Sequence, residues 1–256
     1  MRLWLGLLCL LLSVEASASD MVTLRLGASS LSPSGNISVT SGAVAGTTLN
    51  LKNDMNLKKE NFLDAEASVF FGQHSFHLAY LNMKYNGVVS TPSVLFNFNG
   101  SAFANPPYYH ELKAKLIEGS FAYYPLFLEK ETWRARLGAE LGVKSFKTTQ
   151  SVRETAFAQA VSASALLPSL GIRGHVAYKE WVALNLRYGV YSSSGNQFSD
   201  FQASLDLNPL AYWNQKYVSM YVGYRQIKLK LSGQNNNQIL VDTTFKGPVF
   251  GLLFRY

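Results

Sequence analysis

The chain has 256 residues, of which 48% are hydrophobic, 13% aromatic and 15% charged, and its formal net charge is +7. Soluble domains usually carry about 25% charged residues, so this composition argues against an ordinary soluble fold. The sequence contains a single cysteine, Cys9, which excludes an intrachain disulfide.

The N-terminal residues predict a cleaved secretory signal peptide. Arg2 supplies a basic start, residues 3–12 form an apolar run, and Ala16-Ser17-Ala18 is a small-x-small cleavage site. The apolar run is too short for a membrane-spanning helix. We therefore expect cleavage after Ala18, with residues 1–18 as the signal peptide and residues 19–256 as one domain. The alternative is a retained N-terminal anchor.

Ten segments alternate apolar and polar residues with a period of two, which predicts β-strands with two different faces. The clearest spans residues 133–144, where Leu137 and Leu141 alternate with Arg134, Arg136 and Glu140. A face with these charges must be wet, and a helix would spread the charges around its axis. The predicted strands are residues 21–29, 61–71, 75–85, 111–124, 133–144, 166–178, 181–191, 199–209, 217–231 and 245–256.

The connections alternate mostly between long and short. Polar composition predicts loops at residues 30–60, 86–110, 148–164, 192–197 and 232–238. Short turns are expected at residues 72–74, from Pro125, at 179–180 and at 210–215. Within the first loop, residues 36–40 and 47–51 are expected to pair above the membrane.

Two positions depart from the simple pattern. Ile227, Leu229 and Leu231 reverse the apolar phase of their strand, which predicts a bulge or a departure from the wall. Pro248 removes a ladder hydrogen bond, so we expect it near the membrane rim or at a bulge.

The last segment places its larger apolar residues on one face, at Pro248, Phe250, Leu252, Phe254 and Tyr256. With the signal peptide and the repeated alternation, this pattern resembles the Gram-negative outer-membrane β-barrel proteins. The resemblance implies a transmembrane antiparallel up-and-down β-barrel of about ten strands, with eight or twelve as alternatives. It also implies that Phe254 and Tyr256 form an insertion signal read by the barrel-assembly machinery, and that both termini are periplasmic and the long loops extracellular.

Aromatic residues cluster at the predicted short turns. An aromatic girdle at the periplasmic interface is therefore expected from Trp133, Tyr178, Trp181, Tyr212, Trp213 and Tyr217.

The inward positions collect most of the charged residues. Eight are basic, at Arg25, Arg134, Arg136, Lys144, Arg173, Arg187, Arg225 and Arg255. Six are acidic, at Asp64, Glu66, Glu118, Glu140, Asp200 and Asp206. Because buried charges must be paired, this near-balance predicts a lumen closed by ion pairs and a structural or binding role for the loops. The alternative is a small anion-favouring channel lined by arginines, and a lower alternative is a lipid A-modifying enzyme.

Catalytic motifs are not recognisable in the sequence. The run His74-Ser75-Phe76-His77 lies at a predicted periplasmic turn, and the His-x-Ser-Asn run of the outer-membrane lipid A deacylases is not found. The sequence has no phosphate-binding glycine loop and no metal-ligand cluster, so neither an enzyme nor a cofactor is expected. The expected partners are outer-membrane lipid, anionic lipopolysaccharide for the positive charge, and the assembly machinery during insertion. We expect no nucleic-acid partner and a monomeric barrel.

Overall fold

A computed structural model describes residues 21–41, 44–90, 96–155, 157–193, 195–213, 217–232 and 237–256. The predicted signal peptide, residues 1–18, lies outside these ranges. Within them the strands are β1 (Met21–Ser41), β2 (Leu49–Asn50), β3 (Glu60–Phe71), β4 (His74–Val89), β5 (Phe96–Phe98), β6 (Ser101–Phe103), β7 (Tyr108–Glu129), β8 (Trp133–Arg153), β9 (Ala158–Tyr178), β10 (Val182–Ser193), β11 (Asn196–Leu207), β12 (Val218–Ser232) and β13 (Asn237–Arg255). A short 3₁₀ helix, Pro209–Trp213, joins β11 to β12.

Ten strands form a closed antiparallel ring in the order β1, β3, β4, β7, β8, β9, β10, β11, β12 and β13. The ring closes between β1 and β13, which pair from Thr23↔Arg255 to Ser41↔Asn237. This confirms the predicted all-β, up-and-down barrel of ten strands. We call the end with the chain termini and short turns the turn end, and the opposite end the loop end.

Two small elements lie at the loop end outside the ring. Strand β2 pairs with β1 at Asn36↔Asn50 and Ile37↔Leu49, as predicted for residues 36–40 and 47–51. Strands β5 and β6 form a separate hairpin.

The predicted loops are much shorter than expected. Residues 148–153 belong to β8 and residues 158–164 to β9, so the predicted loop 148–164 is wrong. Likewise, β1 continues through residues 30–41, and β4 and β7 extend into the predicted loop 86–110. These extensions look polar in sequence because their solvent-facing residues are polar.

Towards the loop end, the outward face of the strands changes from apolar to polar and the inward face from charged to apolar, as β12 illustrates. Met220 and Val222 face outward near the turn end, and Lys228 and Lys230 face outward near the loop end. Arg225 is buried inside, and Ile227, two residues further on, is also buried inside. Pairing with β13 is continuous through this region. Both predicted alternatives, a bulge and a departure from the wall, are therefore wrong, and the phase change marks the point where the strand leaves the membrane for water.

Of the four prolines within the described strands, Pro33, Pro125, Pro168 and Pro248, two bear on the sequence predictions. Pro125 was predicted to start a connection, but it lies inside β7, where the register with β8 shifts between Tyr123 and Leu126. This is a β-bulge, which accommodates a residue without an N–H donor. Pro248 faces outward between Lys246 and Phe250, at the level where the outer face changes from polar to apolar. It therefore lies at the rim of the apolar zone.

The outer surface near the turn end is an apolar belt. Its exposed side chains include Leu24, Leu26, Leu78, Ile117, Leu137, Leu141, Leu170, Ile172, Leu184, Leu186, Met220, Val222, Phe250 and Leu252. Beyond the belt, the strand extensions enclose a compact apolar core, and we call this loop-end part the dome. Its buried side chains include Leu31, Val39, Leu51, Met55, Leu81, Met83, Tyr85, Phe98, Phe103, Phe146, Ile227, Leu229, Leu231 and Phe245. Among the described residues, no helix is long and apolar enough to cross a membrane.

Candidate functional site

The lumen at the level of the belt is filled by charged side chains. We call the connected set of ion pairs there the lumen network. It comprises Asp64, Glu66, Glu118, Glu140, Lys144, Arg173, Arg187, Asp200 and Arg225. The pleat of each strand turns these residues inward, because they alternate with lipid-facing apolar residues.

One part of the lumen network is centred on Arg225 of β12. Its Nη2 and Nε atoms donate to the two carboxylate oxygens of Asp200 on β11, at 2.9 and 3.1 Å. Its Nη1 atom donates to Asp64 of β3 at 3.2 Å, and Asp64 also accepts a hydrogen bond from Ser29. Arg225 thus links β3 with β11. In the ring, β13 and β1 lie between β3 and the strand that carries Arg225.

A second part includes contacts between strands that are not adjacent in the ring. The Lys144 Nζ atom lies 3.0 Å from Glu118 and 3.5 Å from Asp200. Arg187 forms an ion pair with the same Glu118, and its Nη2 atom lies 3.5 Å from Asp200. Arg173 pairs with Glu140 of the adjacent strand. The Lys144–Asp200 and Arg187–Glu118 contacts each pass two intervening strands of the ring, whereas the other contacts join adjacent strands.

The Arg173 side chain completes the network across the barrel. Its Nη1 atom lies 3.0 Å from Glu66, which is on β3 and separated from β9 by three strands of the ring. One guanidinium thus bridges two carboxylates on different strands at this level.

A smaller cluster lies nearer the turn end. Asp206 accepts a hydrogen bond from Arg25 at 2.5 Å and lies 3.8 Å from Arg255. A cavity of about 80 Å³ adjoins this cluster and the network, with His77 and His175 also in its wall. This volume accommodates a few water molecules.

The predicted inward acids all have ion-pair partners in the structure. Asp64, Glu66, Glu118, Glu140, Asp200 and Asp206 each lie within 4.0 Å of at least one basic group. Of the predicted bases, Arg134 pairs with Glu129 at 2.9 Å, and both side chains are partly exposed at the turn end. Arg136 has no carboxylate partner among the described residues. Its guanidinium instead lies over the rings of Phe70 and Phe127, at 5.3 and 4.8 Å.

The dome lies beyond the lumen network at the loop end. The β5–β6 hairpin contacts β1 through a hydrogen bond from the Asn99 N–H to the Val39 carbonyl, and the Gln159 side chain of β9 forms hydrogen bonds with Asn99 and Ser101. Phe96 and Phe103 stack inside, with ring centroids 5.2 Å apart. His110 is buried here, and this burial lowers its pKa to about 4, although Asp54 has a smaller opposing effect. The dome therefore keeps His110 neutral near pH 7.

A serine and a histidine form an arrangement that the sequence did not reveal. Ser75 Oγ lies 2.6 Å from His77 Nε2, and the His77 Nδ1 atom lies 3.6 Å from Glu66. The positions of Glu66 and His77 in the sequence do not show that their side chains lie close together. However, Ser75 has no exposed surface, and His77 Nδ1 is closer to Ser68 Oγ, at 2.7 Å. A buried hydroxyl that no substrate can reach does not act as a nucleophile, so the group packs the lumen.

The predicted girdle residues lie at the turn end and are exposed on the outer surface. They are Trp133, Tyr178, Trp181, Tyr212, Trp213 and Tyr217. Phe254 and Tyr256 also face outward at this end. A second aromatic group, which sequence reasoning missed, consists of Phe71, His74, Phe76, Phe121 and Tyr123 with ring centroids 5.1–5.6 Å apart. It extends the girdle to β3, β4 and β7.

The described residues contain no group of three or more His, Cys, Asp or Glu side chains arranged to hold a metal ion.

Comparison with known proteins gives a likeness of fold. No family model matches the sequence, and no curated protein matches it. Among solved structures, the attachment invasion locus protein Ail of Yersinia pestis is similar at 10% identity and a TM-score of 0.36, over 93% of this chain and 99% of that one. Neisserial surface protein A has 13% identity and a TM-score of 0.33, over 94% and 100%. The transport unit of the autotransporter AIDA-I from Escherichia coli has 11% identity and a TM-score of 0.37, over 94% and 92%. The fold of this chain is that of an outer-membrane β-barrel, and its own strand pairing and apolar belt establish it.

Proposed function

We propose that this chain is an integral outer-membrane barrel with a closed lumen, which acts as a binding or structural protein through its loop end. In this proposal the loop end is extracellular and the turn end periplasmic. The observation that carries it is the lumen network, in which every inward acid has a basic partner and several pairs cross the barrel.

A closed lumen follows from the cost of breaking these pairs. A solute that passed through would have to separate buried ion pairs, and removing one partner of such a pair typically costs about 3–5 kcal/mol. The apolar core of the dome is a second barrier, because a polar solute finds no hydrogen-bond partners there. Two barriers of different chemistry in series favour closure over a channel.

Single-channel recording in planar bilayers tests this proposal. Insertion is first verified by heat-modifiable mobility on a gel, so that silence reports a closed barrel. We expect no stable conductance steps from the wild-type protein. Stable anion-selective steps, with selectivity that changes in Arg136→Ala, would overturn the proposal in favour of the channel, since Arg136 is an inward cation with no acid partner in the described part of the chain.

Anionic lipopolysaccharide is the proposed lipid partner. Lysines face outward just beyond the belt, at Lys84, Lys113, Lys115, Lys147, Lys228 and Lys230. Lys115 and Lys147 are direct cross-strand neighbours, and like charges in that position repel each other. A phosphate group between them would relieve the repulsion, while the acyl chains would cover Ile117 below.

The ends of the chain support a role in assembly. Tyr256 exchanges backbone hydrogen bonds with Val22, at 2.8 and 2.9 Å, and so closes the ring at the turn end. With its outward ring and that of Phe254, it is the proposed contact for the barrel-assembly machinery. In this proposal the protein is a monomer and catalyses no reaction.

A further inference from the structure

The wall of the dome is interrupted beside β9. Along its whole length β9 pairs with β8, from Trp133↔Tyr178 to Arg153↔Ala158. On its other side it pairs with β10 only from Val182↔Tyr178 to Val190↔Leu170. Residues 158–167 therefore have a paired strand on one side only, because β10 ends at Ser193 and the β10–β11 hairpin turns near the top of the belt.

The other edges of the dome are covered by the chain itself. The edge of β1 is covered by β2 and by the Asn99 N–H, which donates to the Val39 carbonyl. The edge of β4 is covered where the Asn56 amide donates to the Val88 carbonyl at 2.9 Å. Within the described ranges, no backbone hydrogen bond covers residues 158–167 on the side away from β8. The contacts there are side-chain hydrogen bonds at Gln159.

Residues 158–167 have none of the usual protection against strand addition, and the first proline of the strand is Pro168 at the lower end of this segment. Natural edge strands carry lysines, prolines or bulges that prevent another strand from pairing. Residues 158–167 have no charged residue and no proline, and their register with β8 is uninterrupted. In an antiparallel strand the N–H and C=O of every second residue point to the same side. The open side therefore presents a regular row of backbone donors and acceptors about one strand long.

We propose that residues 158–167 are a docking edge for an extended acidic segment of another protein, which adds to the dome as an extra strand. Inward residues of the segment are apolar, because they meet Val161, Ala165 and Tyr191, which are only partly buried at the rim of the core. Outward residues are acidic, because Lys147 and Arg153 of β8 are exposed on the same outer face, opposite Ser164 and Ala158 and separated from the added segment by β9 alone. The segment is proposed to pair antiparallel to β9, as neighbouring strands of the ring do, whereas a second copy in the same membrane would present its own β9 in the parallel direction.

Hydrogen–deuterium exchange on the full chain in lipid nanodiscs tests this inference. The probe is a synthetic peptide of about ten residues, one strand long, that alternates valine with glutamate. Without it, every second amide of residues 160–167 exchanges rapidly, and with it exchange slows by at least about tenfold. A valine–lysine peptide is the matched control and gives weaker protection. Rapid exchange that neither peptide slows overturns the inference, and equal protection by both overturns its charge assignment.

Paired proline variants test the edge without any ligand. In Ser164→Pro and Ala165→Pro, one substitution removes an amide that faces β8 and the other an amide that faces the open side. We expect one variant to lose folded barrel and the other to fold normally but lose peptide protection. Equal damage in both variants shows that the edge is already covered. Protection that appears with protein concentration alone assigns the edge to a second copy and refutes the proposed partner.

This inference rests on the proposed function in placing the active surface at the loop end. The two can fail separately, because channel steps in a bilayer would refute the closed barrel and leave the exchange pattern of β9 unchanged.

Discussion

Removal of the Asp200 charge is the most direct test of whether the lumen network stabilises the barrel. Asp200 has no exposed surface and accepts two hydrogen bonds from Arg225, with Lys144 and Arg187 each at 3.5 Å. In Asp200→Asn the shape is retained, but Lys144 and Arg187 must share the remaining charge of Glu118. Loss of one partner from a buried ion pair costs about 3–5 kcal/mol, and we expect a decrease of that size in the free energy of unfolding.

Urea-induced unfolding in lipid vesicles, followed by tryptophan fluorescence, measures this decrease. Asp242→Asn is the matched control, because Asp242 is exposed on the outer surface of β13. The control should change the free energy by no more than about 0.5 kcal/mol. A double-mutant cycle with Arg225→Gln should give a coupling energy of about 0.5–3 kcal/mol. If both aspartate variants lose the same stability, the lumen network does not hold the barrel together.

Three further predictions concern the belt, its rim and the dome. Leu186→Arg in the middle of the belt should cost about 2–4 kcal/mol in vesicle unfolding, whereas Leu186→Val should cost less than about 1.5 kcal/mol; equal losses would refute the assigned outer face. Lys115→Gln with Lys147→Gln should reduce the thermal stabilisation given by added lipopolysaccharide, and an unchanged shift would refute the phosphate site. For His110, the folded pKa of about 4 lies below the unfolded value of about 6.5, so its contribution is complete above pH 6.5 and falls as pH approaches 4. His110→Gln should therefore weaken the acid dependence of the unfolding free energy, and an unaltered pH profile would contradict the burial argument.

The belt and the direction of its side chains could be predicted because they depend on local geometry. Period two is fixed by the pleat, so Leu137 outward and Arg136 inward follow from the sequence alone. The contacts of the lumen network could not be predicted. Whether Arg173 meets Glu66 depends on the tilt and stagger of ten strands, and these set which inward residues face each other across the lumen.

The dome escaped prediction for a different reason. Where a strand leaves the membrane, its outward face must become polar and its inward face must become apolar, so the alternation continues in reverse. In β8 the outward Lys147 follows the outward Val143 within a few residues, while the inward Phe146 follows the inward Lys144. A search for one lipid-facing apolar row ends at this point and assigns the remainder to a loop. The alternation persists, and only the solvent on each side changes.

The same inversion explains why the edge at β9 is significant. A barrel within the membrane must close, because lipid offers no partner for an unpaired backbone group. Above the belt, water satisfies these groups, so the β10–β11 hairpin can end while β8 and β9 continue. An open edge there carries no energetic penalty of the kind that lipid imposes, yet it exposes a template for another strand. Because two similar edges of the dome are covered by the chain itself and this one lacks charge, proline and cover among the described residues, residues 158–167 are where a partner strand is expected to add.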